Sequence, residues 1–180
     1  MRLYLALLPP ADLTEHILEA QERLGIAPTR NPPHLTLRGS FTTDSYDALV
    51  DELRTIRREP LTVTFEGYTV FDDTFLVLLA QKTPELMDLE AEVMRISERH
   101  RIREEKPFRR PLDEHEQHYL TTYGDPFVFE RYTPHLTLAY EKPANCDVGS
   151  VLTLPLSFTA DAISAVEKPD YTIRDTIRFG

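Results

Sequence analysis

The chain has 180 residues, 41% of them hydrophobic and 28% charged, an ordinary soluble composition with enough length to enclose one core. A formal net charge of −10 argues against a protein that coats long nucleic acid, since phosphate neutralisation needs a basic surface, but leaves room for a small nucleotide or one RNA end. A single cysteine, Cys146, gives no internal disulfide framework and fits a reducing cytosol, while the apolar run Leu3 to Leu8 is too short for a signal-peptide core or membrane span.

In chain order, a strand from about Arg2 to Leu8 leads into a helix over Ala11 to Leu24. Leu13, Ile17, Ala20 and Leu24 recur there at helical spacing before the stop at Gly25. A proline-rich approach, Pro28 to Pro33, delivers a second strand that runs to about Phe41. Thr43 or Asp44 then caps a helix with the stripe Tyr46, Leu49, Val50, Leu53 and Ile56. Leu61 to Tyr68 and Phe75 to Ala80 read as a hairpin that turns at Asp72-Asp73. A long helix begins with Thr83 as cap and Pro84 at its first position, and buries Leu86, Leu89, Val93 and Ile96. A short helix falls around Asp113 to Tyr123, a strand ends near Tyr140, and two strands, Leu156 to Val166 and Thr172 to Phe179, close the chain. Strands and helices in both halves without strict alternation predict an α+β fold with largely antiparallel sheets.

One stretch occurs twice. Pro33-His34-Leu35-Thr36-Leu37 returns as Pro134-His135-Leu136-Thr137-Leu138. A separation this long is no solenoid period and reads as a duplicated lobe. In a strand, alternate side chains face opposite sides, so His34 and Thr36 share one face while Leu35 and Leu37 pack inward, and the second copy repeats the pattern. If the lobes meet across a pseudo-two-fold, two imidazoles and two hydroxyls converge on a central cleft.

Paired His-x-Thr motifs in a chain of this length resemble the 2H phosphoesterase superfamily, and especially its RNA 2′,3′-cyclic phosphodiesterases, also called 2′-5′ RNA ligases. The opening Arg2-Leu3-Tyr4-Leu5-Ala6-Leu7-Leu8-Pro9-Pro10 and the closing Leu156-Ser157-Phe158-Thr159-Ala160 are similar to that branch too, so the resemblance spans residues 1–180 as one bilobal domain. It implies His34 and His135 as catalytic acid and base, leaning to His135 as the base, and Thr36 and Thr137 as phosphate ligands. No metal or other cofactor is expected.

The chemistry is consistent with the residue types. Histidine titrates near neutrality, so a pair can activate water and protonate a leaving oxygen, while short hydroxyls hold the non-bridging oxygens where charge gathers. The sequence departs from many relatives where an arginine follows the second motif: Ala139-Tyr140-Glu141-Lys142 stands there. Arg38 and Lys142 are the cations near the motifs and complete the candidate substrate-binding set.

Other features are weaker. His115 and His118 lack the i, i+4 spacing of a zinc-protease helix and read as a solvated face. Arg95 to Arg110 carries seven basic residues against three acidic ones, either an exposed helix end or a guide for RNA phosphates. Phe108, Tyr119, Tyr123, Phe127 and Tyr132 are aromatic candidates for base stacking. The expected protein is a cytoplasmic monomer that hydrolyses an RNA end or a small cyclic nucleotide, with no membrane or long duplex as partner. Three rivals remain: 2′-5′ cleavage or ligation, another nucleotide-derived cyclic phosphate, and a binding module without turnover.

Overall fold

The computed structural model describes residues 1–27, 30–104, 108, 111–141, 143 and 147–180; Lys106, Arg109, Arg110, Lys142 and Cys146 lie outside the described residues. Apolar alternation along the chain produces the strands β1 (Arg2–Leu7), β2 (Leu35–Thr42), β3 (Leu61–Phe71), β4 (Phe75–Ala80), β5 (His135–Ala139), β6 (Leu156–Ala160), β7 (Ala162–Glu167) and β8 (Thr172–Arg178). Apolar stripes at helical spacing produce α1 (Ala11–Arg23), α2 (Tyr46–Leu53), α3 (Pro84–Arg99) and α4 (Glu114–Tyr123).

All the strands form one antiparallel sheet in the order β6-β3-β4-β5-β2-β1-β7-β8. The α+β class and the antiparallel pairing are as the sequence predicts. Four strands lie on each side of the junction between β5 and β2. There the paired register consists of Leu35 opposite Leu136 and nothing more, whereas β3 and β4 are paired from Phe65–Ala80 to Phe71–Phe75.

One face of the sheet carries Leu3, Leu5, Leu7, Leu35, Leu37, Leu136 and Leu138, which share a core with Ile17 and Ala20 of α1, Leu49 and Leu53 of α2, and Leu89 and Val93 of α3. The other face carries Tyr4, Ala6 and Val166, a small apolar floor against which Tyr171 packs.

Local signals hold at several ends. Thr83 accepts the Leu86 N–H at 3.3 Å, with Pro84 inside the first turn of α3. Asp113 and Glu116 exchange side-chain-to-backbone bonds of 2.8 and 3.0 Å, a capping box that starts α4, and Gly124 ends it in the left-handed region at φ 70. The β3–β4 turn has φ 50 at Asp72 and 52 at Asp73, the positive values a tight hairpin turn requires and that aspartate tolerates.

Two expectations are corrected. The α2 cap position is Ser45 rather than Thr43 or Asp44; Thr43 instead accepts the Ser45 N–H at 3.1 Å. The segment expected as one strand, Leu156 to Val166, is two strands broken at Asp161. β6 pairs with β3 at one edge of the sheet, and β7 pairs with β1 and β8 near the other. Buried positions change parity across the break, from Phe158 and Ala160 to Ile163 and Ala165, because the two strands present opposite phases to the same core.

Glu90 is the fully buried acidic residue of α3; burial pushes its carboxyl up to about 8, and Arg38 and Arg95 offset this only in part. The folded protein therefore keeps a proton that an unfolded glutamate, ionising near 4.5, releases, so stability falls as pH rises from about 4.5 to about 8. Glu90→Gln should raise the urea midpoint at pH 8 by on the order of 1 M and change it little below pH 5. Equal midpoints at pH 8 would contradict this account of Glu90.

Candidate active site

Both copies of the repeat have the same burial rhythm: Pro33, Leu35 and Leu37 are buried with His34 and Thr36 partly open, and Pro134, Leu136 and Leu138 repeat this around His135 and Thr137. An antiparallel register through Leu35 and Leu136 sets Thr36 opposite His135 and His34 opposite Thr137 on the face away from the helices. Neighbouring strands extend that face, with Ala6 opposite Thr36 and Val77 opposite Thr137. The histidine of each motif thus faces the threonine of the other, and the two histidines lie on the diagonal.

The two rings are anchored alike. His34 donates from Nδ1 to the Pro32 carbonyl at 2.7 Å, and His135 donates from Nδ1 to the Thr133 carbonyl at 2.7 Å. A carbonyl only accepts, so the proton sits on Nδ1 and each Nε2 is the atom left for chemistry. Ring neighbours fix the orientation: Tyr4 lies 4.8 Å from His34, and Phe71 meets His135 edge-on at 5.0 Å. Burial pulls both imidazoles below the usual 6.5, against the pull of the carbonyl bonds; His34 is lowered further by the positive charges of His135 and Lys168.

Lys168 lies beside His34 and is a candidate site residue that the sequence alone does not mark. It sits in the turn between β7 and β8, its ammonium 5.9 Å from the Tyr4 ring and 5.6 Å from the Tyr171 ring, with its backbone N–H bonded to Arg2 O at 2.9 Å. Burial lowers its pKa, with Arg2 adding to the effect. Beside it, Tyr4 Oη donates to Asn31 Oδ1 at 2.6 Å and Asn31 Nδ2 donates to Tyr140 Oη at 2.7 Å, a polar wall on the His34 side. No local sequence signal marks Lys168; the pairing of β7 with β1 brings it there.

Arg38 is not brought to the histidine pair. The β1–β2 register slips at Leu37, pairing Thr36 with Ala6 but Arg38 with core-facing Leu5. Its side chain is fully buried, donating to Tyr123 O at 2.8 Å, 3.9 Å from Asp125 and 5.0 Å from the Phe41 ring; neither the cleft nor solvent receives it. Burial lowers its pKa to about 10, still charged at neutrality. Gly39 marks the irregularity, since a Cβ there would meet Asp125 Oδ2 at 2.8 Å. Lys142, the other candidate cation, lies outside the described residues.

Of the basic stretch, Arg101 is used internally: it donates to Glu98 at 2.6 and 3.1 Å and to Thr122 O at 3.1 Å. Arg99 pairs with Glu52 and Arg103 with Glu98. Among the aromatic candidates, Tyr119, Tyr123 and Phe129 form a ring cluster, Tyr132 is buried with its hydroxyl on Thr36 O at 2.6 Å, and Phe127 faces a cavity. His115 and His118 are exposed on α4. Among the described residues, no three potential metal ligands gather, and no helix is long and apolar enough to cross a membrane.

Beyond the Leu35–Leu136 pair, β2 and the approach to β5 diverge, and a cavity of about 440 Å³ opens beside Thr36 and His135. Its walls include Phe71 from the β3–β4 hairpin, Glu90 from α3, and Asp125 and Phe127 from the segment after α4.

Solved structures share this architecture. Escherichia coli LigT complexed with 3′-AMP is 18% identical, with a TM-score of 0.58 over 99% of this chain and 97% of that one. The same protein complexed with ATP gives 0.60 at 18% identity, covering 99% and 97%. Kluyveromyces marxianus Usb1 gives 0.56 at 13% identity, covering 99% and 98%. No curated protein matches the chain by sequence. The model of the 2′-5′ RNA ligase superfamily matches residues 9–171, a span that holds both His-x-Thr motifs and six of the eight described strands, β2 to β7. The chain belongs to the 2′-5′ RNA ligase superfamily of 2H phosphoesterases.

Proposed function

We propose that the protein is a metal-independent phosphodiesterase that opens a cyclic phosphate, an RNA 2′,3′-cyclic end being the preferred substrate, and leaves a 2′-phosphate. The observation that carries this reading is the matched pair of imidazoles, each with Nδ1 tied to a backbone carbonyl and Nε2 on the motif face. One Nε2, neutral, takes a proton from water as its oxygen attacks phosphorus. The other, protonated, gives its proton to O3′ as the P–O3′ bond breaks, so a phosphomonoester and a free hydroxyl result. Thr36 and Thr137 donate to the non-bridging oxygens, and Lys168, half-buried beside His34, supplies the cation that Arg38 does not. LigT has been solved with 3′-AMP and with ATP, which fits a nucleotide in this cleft. The protein acts as a monomer and as one domain in this reading. The reverse reaction, a 2′-5′ ligation, uses the same groups and is separated by product analysis on cyclic-ended oligonucleotides and 2′-5′ dinucleotides.

His34→Ala and His135→Ala should each lower kcat by at least about 10²-fold while the protein stays folded, because neither ring can perform the other's transfer. A folded variant with near-normal kcat would sink the mechanism. Thr36→Ala and Thr137→Ala should cost less, mostly in KM.

Each proton transfer has a side chain assigned to it, so hydrolysis of 2′,3′-cyclic nucleotides should survive EDTA and dialysis. Loss of activity restored only by a divalent ion would overturn the scheme.

The pH profile of kcat/KM reports the free enzyme, where both imidazoles are held below 6.5, so its bell should centre on the acid side of that value. Lys168→Met removes a positive charge beside His34 and should raise the pKa of that ring. If the acid limb moves up, His34 is the base; if the alkaline limb moves up, it is the acid. A profile that does not move would remove Lys168 from the site.

A further inference from the structure

We propose that the cavity beside His135 is a nucleobase pocket in which Glu90 reads the N–H edge of a guanine. The inference rests on the phosphodiesterase reading and adds to it the identity of the base.

Position comes first. The cavity shares Thr36 and His135 with the motif face, so a phosphate held by the motifs leaves its nucleoside at the cavity mouth. About 440 Å³ is within the range of small-ligand sites and accommodates a base. Val70, Phe71, Phe127 and Val128 give it apolar walls suited to the faces of a flat ring.

Its polar groups decide which edge enters. Arg131 is already committed to Asp113 at 2.9 Å and to Glu116 at 3.4 Å. Asp125 takes the Phe127 N–H on Oδ1 at 3.0 Å, with the Arg38 guanidinium 3.9 Å from Oδ2. Glu90 differs from both. One of its oxygens accepts the Phe129 N–H at 3.2 Å, while Oε1 has no hydrogen-bond partner although the residue is fully buried. Once ionised, Glu90 leaves an unpartnered acceptor in the cavity wall that is costly until a donor arrives, and three carboxyls on one cavity, Asp72, Glu90 and Asp125, favour an edge made of donors. Guanine presents a ring N–H next to an amino group. Adenine and cytosine set an acceptor beside their amino group, and uracil flanks its one N–H with carbonyls.

Binding an N–H edge stabilises the ionised form of Glu90, whose carboxyl is otherwise held up at about 8 by burial, with Asp125 adding to the rise and the Phe129 N–H, Arg38 and Arg95 opposing it. Guanine affinity should therefore rise as pH is raised toward 8, with proton release on binding.

The test is kcat/KM for the 2′,3′-cyclic phosphates of guanosine, adenosine, cytidine and uridine, in the wild type and in Glu90→Gln. The wild type should favour guanosine over uridine by about tenfold or more, the usual worth of one well-placed base contact, and Glu90→Gln should bring the ratio to within about threefold. Equal values across the four substrates, or a preference retained in Glu90→Gln, would overturn the pocket assignment. If none of the four is hydrolysed the phosphodiesterase reading fails instead, and calorimetry decides the pocket. Tighter binding of 2′-GMP than 2′-UMP by the wild type, lost in Glu90→Gln, sustains it; equal or absent binding of both ends it.

Discussion

The single residue pair between Leu35 and Leu136 is the constraint on which the site depends. Both leucines are fully buried, so the junction of β2 with β5 is fixed from the core side by apolar packing. On the opposite face the same register brings the histidine of each motif to the threonine of the other. Because pairing stops after one step, the strands part and leave room for a ligand. A longer ladder would zip the cleft shut, and no pairing would leave the imidazoles unrelated. The prolines before each motif are buried as well and give both histidines the same entry, and in each copy the carbonyl two residues back fixes the ring.

Charge is distributed unevenly around the pair. The His34 side carries Lys168, three tyrosines and Asn31, with the ammonium over aromatic faces. The His135 side opens onto carboxyls and phenyl rings. On the proposed reading, a phosphate between the histidines is drawn toward the first side, and the neutral, donor-rich part of a ligand toward the second. In a chain of net charge −10, this local arrangement matters more than the total.

Much of this was legible in the residues and some was not, for identifiable reasons. The motif face could be read because strand alternation is a local rule and both copies obey it. The α3 and α4 boundaries could be read because Thr83, Pro84, Asp113, Glu116 and Gly124 act within one turn of where they stand. Arg38 could not be placed, since one slip of register at Leu37 turns it from the cleft to the core, and only Gly39 hints at it. Lys168 belongs to a turn whose location depends on β7 choosing β1 as neighbour, a choice no local pattern encodes. Arg101 resembled a surface cation until α4 supplied the Thr122 carbonyl. The parity change at Asp161 was present in the sequence, but an apolar run broken by one polar residue reads equally well as a single strand.

That break at Asp161 has a consequence for how the protein is made. β6 completes the side of the sheet begun by β3, and β7 with β8 completes the side begun by β1, so one residue carries the chain from one edge of the sheet toward the other. Neither side is contiguous in sequence, and neither has its full set of strands until the last quarter of the chain has left the ribosome. During synthesis β1 and β3 wait with unpaired edges, both strands seeking partners more than 90 residues downstream. The chain therefore closes both flanks of its sheet in one late event, and a protein cut short before Leu156 would lose the outer strands of both sides together.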